Sequence, residues 1–336
     1  MISISDFADS TLKRIDITKF DQKKICILGG TGFIGTWLAE SIDYLSTTQA
    51  VELELTIYTR DKGAALRKFP RSAFQTFTIK EFDFSLGTCD LGIFDFYING
   101  ATPTSSKPRI NTRDFFYSPT INATSSIIES ARKYGNCPRV LNLSSGAVYG
   151  PQPMKMKLRP EGPAKTLESS DDDYRASKIV SEEMLTMASD QKILYAASPR
   201  LFTFYGPGLP INQHFAIGNF IQDGLNGSPI RIQGNPATQR SYMFPTDLVS
   251  WLIKLVLNPK NADFNIGSES SISMLELATL VSELTSKKGV VLLKPETPAN
   301  NYVPSTEIFR SFYDVKENTW LKEGLLLWVN WLLKQK

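Results

Sequence analysis

A short apolar run, Lys24-Ile-Cys-Ile-Leu28, passes directly into Gly29-Gly-Thr-Gly-Phe-Ile-Gly35, and Phe33, Ile34, Trp37, Leu38 and Ile42 then recur at helical spacing. This order predicts a buried parallel strand, a glycine turn and a helix from Phe33 to about Tyr44. Glycines at 29, 32 and 35 let the backbone turn sharply, approach a pyrophosphate closely and pack the helix on the strand. The helix start adds unpaired N–H groups and a positive dipole end. Val51 to Thr59 alternates and then turns apolar, predicting a second strand and so a right-handed βαβ unit. A glycine triplet alone also serves any tight strand-to-helix turn. The elements on either side of it are what point to a dinucleotide.

The rhythm continues with strands at Thr76–Phe82, Asp95–Asn99, Arg139–Ser144 and Ile193–Ser198, and helices at Thr120–Tyr134 and Tyr174–Ser189. Alternation of this kind predicts an α/β fold with a doubly wound parallel sheet of the Rossmann type. After about residue 205 the punctuation changes, with Gly206-Pro-Gly-Leu-Pro210 and then Pro229, Pro236, Pro245 and Pro259 between shorter elements. The expected organisation is a leader outside the core over 1–22, a dinucleotide-binding domain over 23–205 and a smaller substrate-binding lobe over 206–336. Some segments of that lobe are expected to return to the first domain.

Composition narrows the function classes. With 336 residues, 42% hydrophobic and 21% charged, the chain is an ordinary globular mixture. Lys+Arg number 37 against 34 Asp+Glu, a net +3 that lacks the concentrated basic face of a nucleic-acid binder. Cys26, Cys89 and Cys137 are odd in number and far apart, which argues for a reducing compartment, and a cytoplasmic location is expected. A single histidine, His214, argues against a His-based metal site or a Ser-His-Asp hydrolase, and no metal is expected. The start carries no apolar signal-peptide core, and no run of apolar residues is long enough to span a bilayer.

Two places carry chemistry beyond the glycine loop. The second strand ends Tyr58-Thr-Arg-Asp61, and Arg60 there favours the 2′-phosphate of NADP, with NAD as the alternative because Asp61 is adjacent. Tyr-x-x-x-Lys occurs as Tyr58…Lys62 and Tyr174…Lys178, a pattern that chance supplies in a chain with 12 tyrosines. Position separates them: Tyr58 ends a strand, whereas Tyr174 and Lys178 open a helix after Asp171-Asp-Asp173 and so lie one turn apart on one side. A phenol is a poor base at neutral pH, and a nearby ammonium together with a positive nicotinamide ring is expected to lower its pKa. Ser145, at the end of strand Arg139–Ser144, is placed to hydrogen-bond a reacting oxygen. Singly these residues read as a turn serine, a packed tyrosine and a solvated lysine; together with the glycine loop they read as a site.

The ordered set GGTGFIG (29–35), NGAT (99–102), INAT (121–124), SSGAVYG (144–150), YRASK (174–178), SPRLFTFYGPG (198–208), GNFIQDGLNG (218–227), QRSYMFPTDLV (239–249) and YVPST (302–306) resembles the extended short-chain dehydrogenase/reductase family, in its nucleotide-sugar epimerase/dehydratase branch. The resemblance implies that Gly29, Gly32, Phe33 and Ile34, with Gly35, hold the pyrophosphate, that Asp83 contacts adenine and that Ala101 lines the cofactor. It implies that Ser145 and Tyr174 act on the substrate and that Lys178 binds the nicotinamide ribose. Arg240 then grips the diphosphate of a nucleotide sugar, Thr203 stands where many relatives carry asparagine, and Asn219 lies in the segment covering the nucleotide.

Departures refine this. The usual histidine-alanine-alanine is Asn99-Gly-Ala101, expected to alter packing near the cofactor. Dehydratases and decarboxylases of the branch carry a glutamate where this chain has Ala147, and dehydratases an aspartate where it has Gly146. The resemblance therefore implies a 4-ketoreductase or 4-epimerase, with a 4,6-dehydratase, a decarboxylase or a non-catalytic nucleotide-binding protein as alternatives. By the same resemblance a homodimer forms through Thr120–Tyr134 and Tyr174–Ser189. The final segment Trp320–Leu333 is expected to cover the second lobe rather than to bind a membrane surface.

Overall fold

The computed structural model describes residues 4–7, 10–69, 77–103, 113–168, 172–211, 215–260, 262–293 and 298–335. His214 and Asp171 lie outside the described residues. A one-turn helix, α1 (Ser10–Lys13), leads to β1 (Lys23–Leu28), α2 (Phe33–Gln49), β2 (Leu53–Thr59), α3 (Lys62–Lys68) and β3 (Phe77–Glu81). Then come β4 (Phe96–Asn99), α4 (Ser118–Tyr134), β5 (Arg139–Asn142), β6 (Ser144–Ser145), α5 (Asp173–Asp190), β7 (Tyr195–Ala197) and β8 (Arg200–Leu201).

Six strands form a parallel sheet in the order β3-β2-β1-β4-β5-β7. Period-two alternation along β1 explains why helices cover both faces. Ile25 and Ile27 point into one core with Trp37, Leu38 and Ile42 of α2, while Cys26 and Leu28 point into another with Ala123 and Ile127 of α4 and Leu185 of α5. Strand order reverses around β1, which pairs with β2 on one side and β4 on the other, so the glycine loop opens at the crevice where such folds bind nucleotides.

The later chain supplies α6 (Ala216–Leu225), β9 (Ile230–Ile232), β10 (Gln239–Ser241), α7 (Pro245–Leu257), β11 (Asn265–Ile266), β12 (Ser271–Ser273) and α8 (Met274–Leu284). It ends with β13 (Val290–Leu292), β14 (Asn301–Tyr302), α9 (Glu307–Tyr313) and α10 (Leu321–Lys334). Helix α7 packs on α2 and β5, and β11 pairs with β8. In α10, Leu325 and Trp328 are fully buried, and the helix packs on α8. No described helix is long and apolar enough to cross a membrane.

Two expectations need correction. The described residues of the segment 1–22 are not a leader outside the core: Ile4, Phe7, Leu12, Ile15, Ile17 and Phe20 are all buried in the cluster that holds α2 and α7. Phe7 meets Trp37 edge-on at 5.5 Å and Phe20 meets Phe96 at 4.8 Å. Short one-turn helices spread these side chains too irregularly for a periodic signal. The strand expected over Arg139–Ser144 also breaks at Leu143, because Ser144–Ser145 leaves the main sheet and pairs with β8 in a separate three-stranded sheet.

Candidate active site

At Gly29 φ is +73°, and a Cβ there would lie 2.3 Å from the Gly100 carbonyl oxygen, so only glycine fits between β1 and the chain after β4. At Gly35 a Cβ would lie 2.6 Å from the Gly29 carbonyl oxygen, which is how helix α2 approaches the loop so closely. Beside this turn opens a cleft of about 270 Å³, lined by Gly29, Gly32, Arg60, Asp83 and Ala101 together with Thr31 and Thr102. Phe33, Ile34 and Gly35 form the first turn of α2 beneath it, and Phe33 stacks on Phe204 at 5.3 Å.

Helix α5 presents Tyr174 and Lys178. Asp172 caps it, accepting a bond from the Arg175 N–H at 2.8 Å, so that Tyr174 and Lys178 fall one turn apart. The Lys178 ammonium lies 5.8 Å from the Tyr174 ring centre and donates to Thr102 Oγ1 at 2.8 Å and the Leu143 carbonyl at 2.6 Å. Ser145 lies near enough to Tyr174 to draw its pKa down, and its Oγ accepts from the Ala147 N–H at 3.2 Å. Phe116 meets the Tyr174 ring edge-on at 5.7 Å. Ser145, Tyr174 and Lys178 thus come together beside the glycine-lined cleft.

The expected lowering of the tyrosine pKa is not what the protein's own groups produce. Burial raises the Tyr174 pKa, and Ser145 offsets that only in part. Burial also brings Lys178 down to about 8, against the pull of the Glu182 carboxylate one turn further on. Desolvation outweighs attraction because Lys178 is buried, and its bonds to Thr102 and Leu143 are to neutral acceptors.

A buried ion pair fixes the serine. Arg200 holds Glu182 through both carboxylate oxygens, at 3.2 and 2.8 Å, and Ser144, next to Ser145, donates to the same carboxylate. Asn99 turns away from the cleft, donating to Thr124 Oγ1 and Asn142 Oδ1 at 3.1 Å each, so its packing effect falls beneath α4 and α5.

Arg240 on β10 lies opposite Tyr302 on β14, with its guanidinium 5.8 Å from the Tyr302 ring centre, and it donates to Asn300 Oδ1 at 2.8 Å. The Tyr302 hydroxyl lies 3.4 Å from Ser145 Oγ, joining the arginine to the Ser-Tyr-Lys group. Sequence reasoning quoted Tyr302 within a motif but gave it no role; the parallel pairing of β10 with β14 is a contact that no local pattern encodes. Thr102, which anchors Lys178, was missed likewise. Thr203 accepts from the Met243 N–H at 3.0 Å, and Asn219 is half-buried in the first turn of α6. Neither contacts Ser145, Tyr174 or Lys178 through a hydrogen bond recorded among the described residues. Three or more His, Cys, Asp or Glu side chains are nowhere clustered to hold a metal among the described residues.

A parallel sheet with a glycine-turn crevice and an adjoining Ser-Tyr-Lys group defines a nucleotide-binding fold of the short-chain dehydrogenase/reductase type. The chain belongs to the NAD dependent epimerase/dehydratase family, which it matches over residues 25–267. It is 31% identical over 98 residues to UDP-glucuronic acid decarboxylase 1 of Arabidopsis thaliana, a stretch covering 29% of this chain and 22% of that protein. The chain thus matches about a fifth of that relative's length. Among solved structures it resembles UDP-glucose 4-epimerase of Thermotoga maritima with UDP-glucose (TM-score 0.76, 19% identity, 93% of this chain and 99% of that one). It also resembles dTDP-glucose 4,6-dehydratase of Bacillus anthracis in complex with NAD (TM-score 0.75, 18% identity, 94% and 97%).

Proposed function

We propose that this protein is an NADP-dependent oxidoreductase or epimerase that moves hydride at a sugar carbon, C4, of a nucleotide-diphosphate sugar. The observation that carries the reading is the convergence of Ser145, Tyr174 and Lys178 beside the cleft floored by Gly29, with Arg240 reached through Tyr302. The cradle fits a dinucleotide, since the Cβ-free packing at Gly29 and Gly35 brings the glycine turn and the start of α2 against the cleft, and a helix start of this kind receives a pyrophosphate. When bound, the nicotinamide supplies or accepts the hydride.

The chain's own residues do the rest. In the reducing direction Tyr174 donates its phenolic proton to the ketone oxygen, and Ser145 hydrogen-bonds that oxygen as charge develops on it. Lys178 holds a positive charge beside Tyr174 and binds the ribose, and Arg240 offers a guanidinium fork to the diphosphate. Thr203 and Asn219 belong to the substrate side of the same reading, and Asp83 to the adenine side.

For the cofactor, β2 ends in Thr59 rather than an acid, Arg60 lines the cleft, and the Asp61 carboxylate caps α3 by accepting from the Ala64 N–H at 2.7 Å. These features favour NADP over NAD. A decarboxylase or dehydratase reading takes support from the names of relatives. Against it stand Ala147 and Gly146, which offer no carboxyl group beside Ser145. A homodimer through α4 and α5 and a cytoplasmic location, in keeping with three free cysteines, complete the proposal. The test is a panel of 4-keto nucleotide sugars with NADPH: stoichiometric oxidation of added NADPH marks a reductase, and interconversion of two sugars with no net oxidation marks an epimerase. Inertness with every keto and hydroxy sugar nucleotide would overturn the proposal.

A further inference from the structure

Lys68 closes the last turn of α3, and its ammonium reaches back to donate to the Thr31 carbonyl, in the glycine loop, at 2.7 Å. Thr31 and Arg60 both line the dinucleotide cleft, and the hydroxyls of Thr31 and Thr59 lie 3.2 Å apart, closing the loop onto the end of β2. The Lys68 side chain is half-buried, and burial lowers its proton affinity. No carboxylate lies within ion-pair distance of it among the described residues. A partly desolvated ammonium held by one neutral carbonyl costs stability unless an anion joins it.

Helix α3 is built to hold this cation still. Asp61 caps its start, and Phe69, just past its end, is buried and meets Phe77 edge-on at 5.8 Å. The capping also commits the Asp61 carboxylate to the Ala64 N–H; Arg60 then lines the cleft at the end of β2, Lys68 reaches the glycine loop at Thr31, and the acid of the lining, Asp83, follows β3. The lip between β2 and the glycine loop is where the adenosine ribose lies in a sheet of this topology.

We infer that Lys68 is a specificity-determining residue that, with Arg60, clamps the 2′-phosphate of an NADP-type cofactor, Arg60 from the strand end and Lys68 from the glycine-loop side. The inference rests on the NADP reading above and deepens it. A 2′-phosphate is a dianion with acceptor oxygens for both a guanidinium fork and an ammonium, whereas a bare 2′-hydroxyl needs an acid that Thr59 does not supply.

The experiment is a fluorescence titration of the full chain and of Lys68→Gln with NADPH, NADH, 2′-AMP and 5′-AMP. Glutamine keeps a donor for the Thr31 carbonyl and removes the charge, so a loop brace and a phosphate contact give different results. The wild type should prefer NADPH over NADH and 2′-AMP over 5′-AMP. Lys68→Gln should weaken NADPH and 2′-AMP by about tenfold while NADH stays within about twofold, and Lys68→Arg should recover most of the loss. A wild type preferring NADPH whose Lys68→Gln variant discriminates as before, or loses both dinucleotides equally, overturns the role of Lys68 alone. A wild type preferring NADH overturns the cofactor reading and this assignment with it. Should Lys68→Gln melt early, Lys68→Arg and the salt dependence of wild-type 2′-AMP binding carry the test; an unchanged affinity between low and high salt would then overturn it.

Discussion

Tyr174 is held between opposing influences: burial and the Asp172 carboxylate keep its proton on, and Ser145 eases it off. A phenol in that state suits donation to a ketone oxygen, and the proton it gives up is the one the hydride step needs. Replacing Tyr174 by Phe keeps the ring against Phe116 and removes the proton. Single-turnover hydride transfer at saturating substrate and cofactor should fall by about two to four orders of magnitude, with cofactor affinity little changed. Transfer at the wild-type rate would contradict the assignment. Lys178 contributes a pH limb. It titrates at about 8, so its cationic form is present below that pH and is lost as pH rises through it. Because kcat/KM reports the free enzyme, it should decline on the alkaline side with an apparent pKa near that of Lys178. A kcat/KM that stays flat to about pH 10, the ordinary lysine range, would show that the charge of Lys178 does not matter there.

Individual elements carry their own consequences. Glu317 precedes α10, accepts from Ser268 Oγ at 2.7 Å, and burial with the nearby acids Asp247 and Glu269 pushes its pKa up to about 7. A carboxyl raised in the folded state contributes stability that is complete below its unfolded pKa and is lost as pH rises through about 7. Glu317→Gln keeps the acceptor and removes the charge, so it should raise the melting temperature by about 1–3 °C at alkaline pH and change it little in acid. Scanning calorimetry across pH checks this, and an equal shift at all pH values would contradict it.

The strands and helices around the cleft were legible because their core is built by short-range periodicity: β1 alternates Ile25 and Ile27 against Cys26 and Leu28, and α2 repeats its apolar face. Gly29, Ser145, Tyr174 and Lys178 were legible as well, since each sits at the end of such an element. Contacts that depend on tertiary pairing were not. Tyr302 reaches Ser145 across 157 positions of sequence, Lys68 reaches the glycine loop from a different helix, and Ser144–Ser145 changes sheets after a single intervening leucine. The balance at Tyr174 without a cofactor was not legible either, because spacing shows that a lysine is near but not how far burial offsets its charge.

Across the whole molecule, one hydrophobic cluster runs from the N-terminal segment through α2 and α7 to Trp328 of α10, so the parts proposed to bind cofactor and substrate share a core. Leu12, fully buried in that cluster although it lies well before β1, reports on this unity. Leu12→Ala should cost about 2–5 kcal/mol in chemical unfolding, whereas a loss below about 0.5 kcal/mol would return the segment to the status of a surface leader. The shared core also holds the crevice of the sheet and the β10–β14 pair in one frame, which lets Arg240 and Tyr302 stand beside groups carried by α5 and β6. The central claim is that this frame moves hydride at a sugar carbon without removing atoms from the sugar. It is tested most directly by giving the enzyme nucleotide sugars deuterated at C4 and locating the label in the products by NMR and mass spectrometry. The account predicts deuterium at C4 of an epimer or on the nicotinamide, with the sugar's carbons and oxygens all retained. Label migrating to C6 with loss of water, or a product that has lost carbon dioxide, would contradict it.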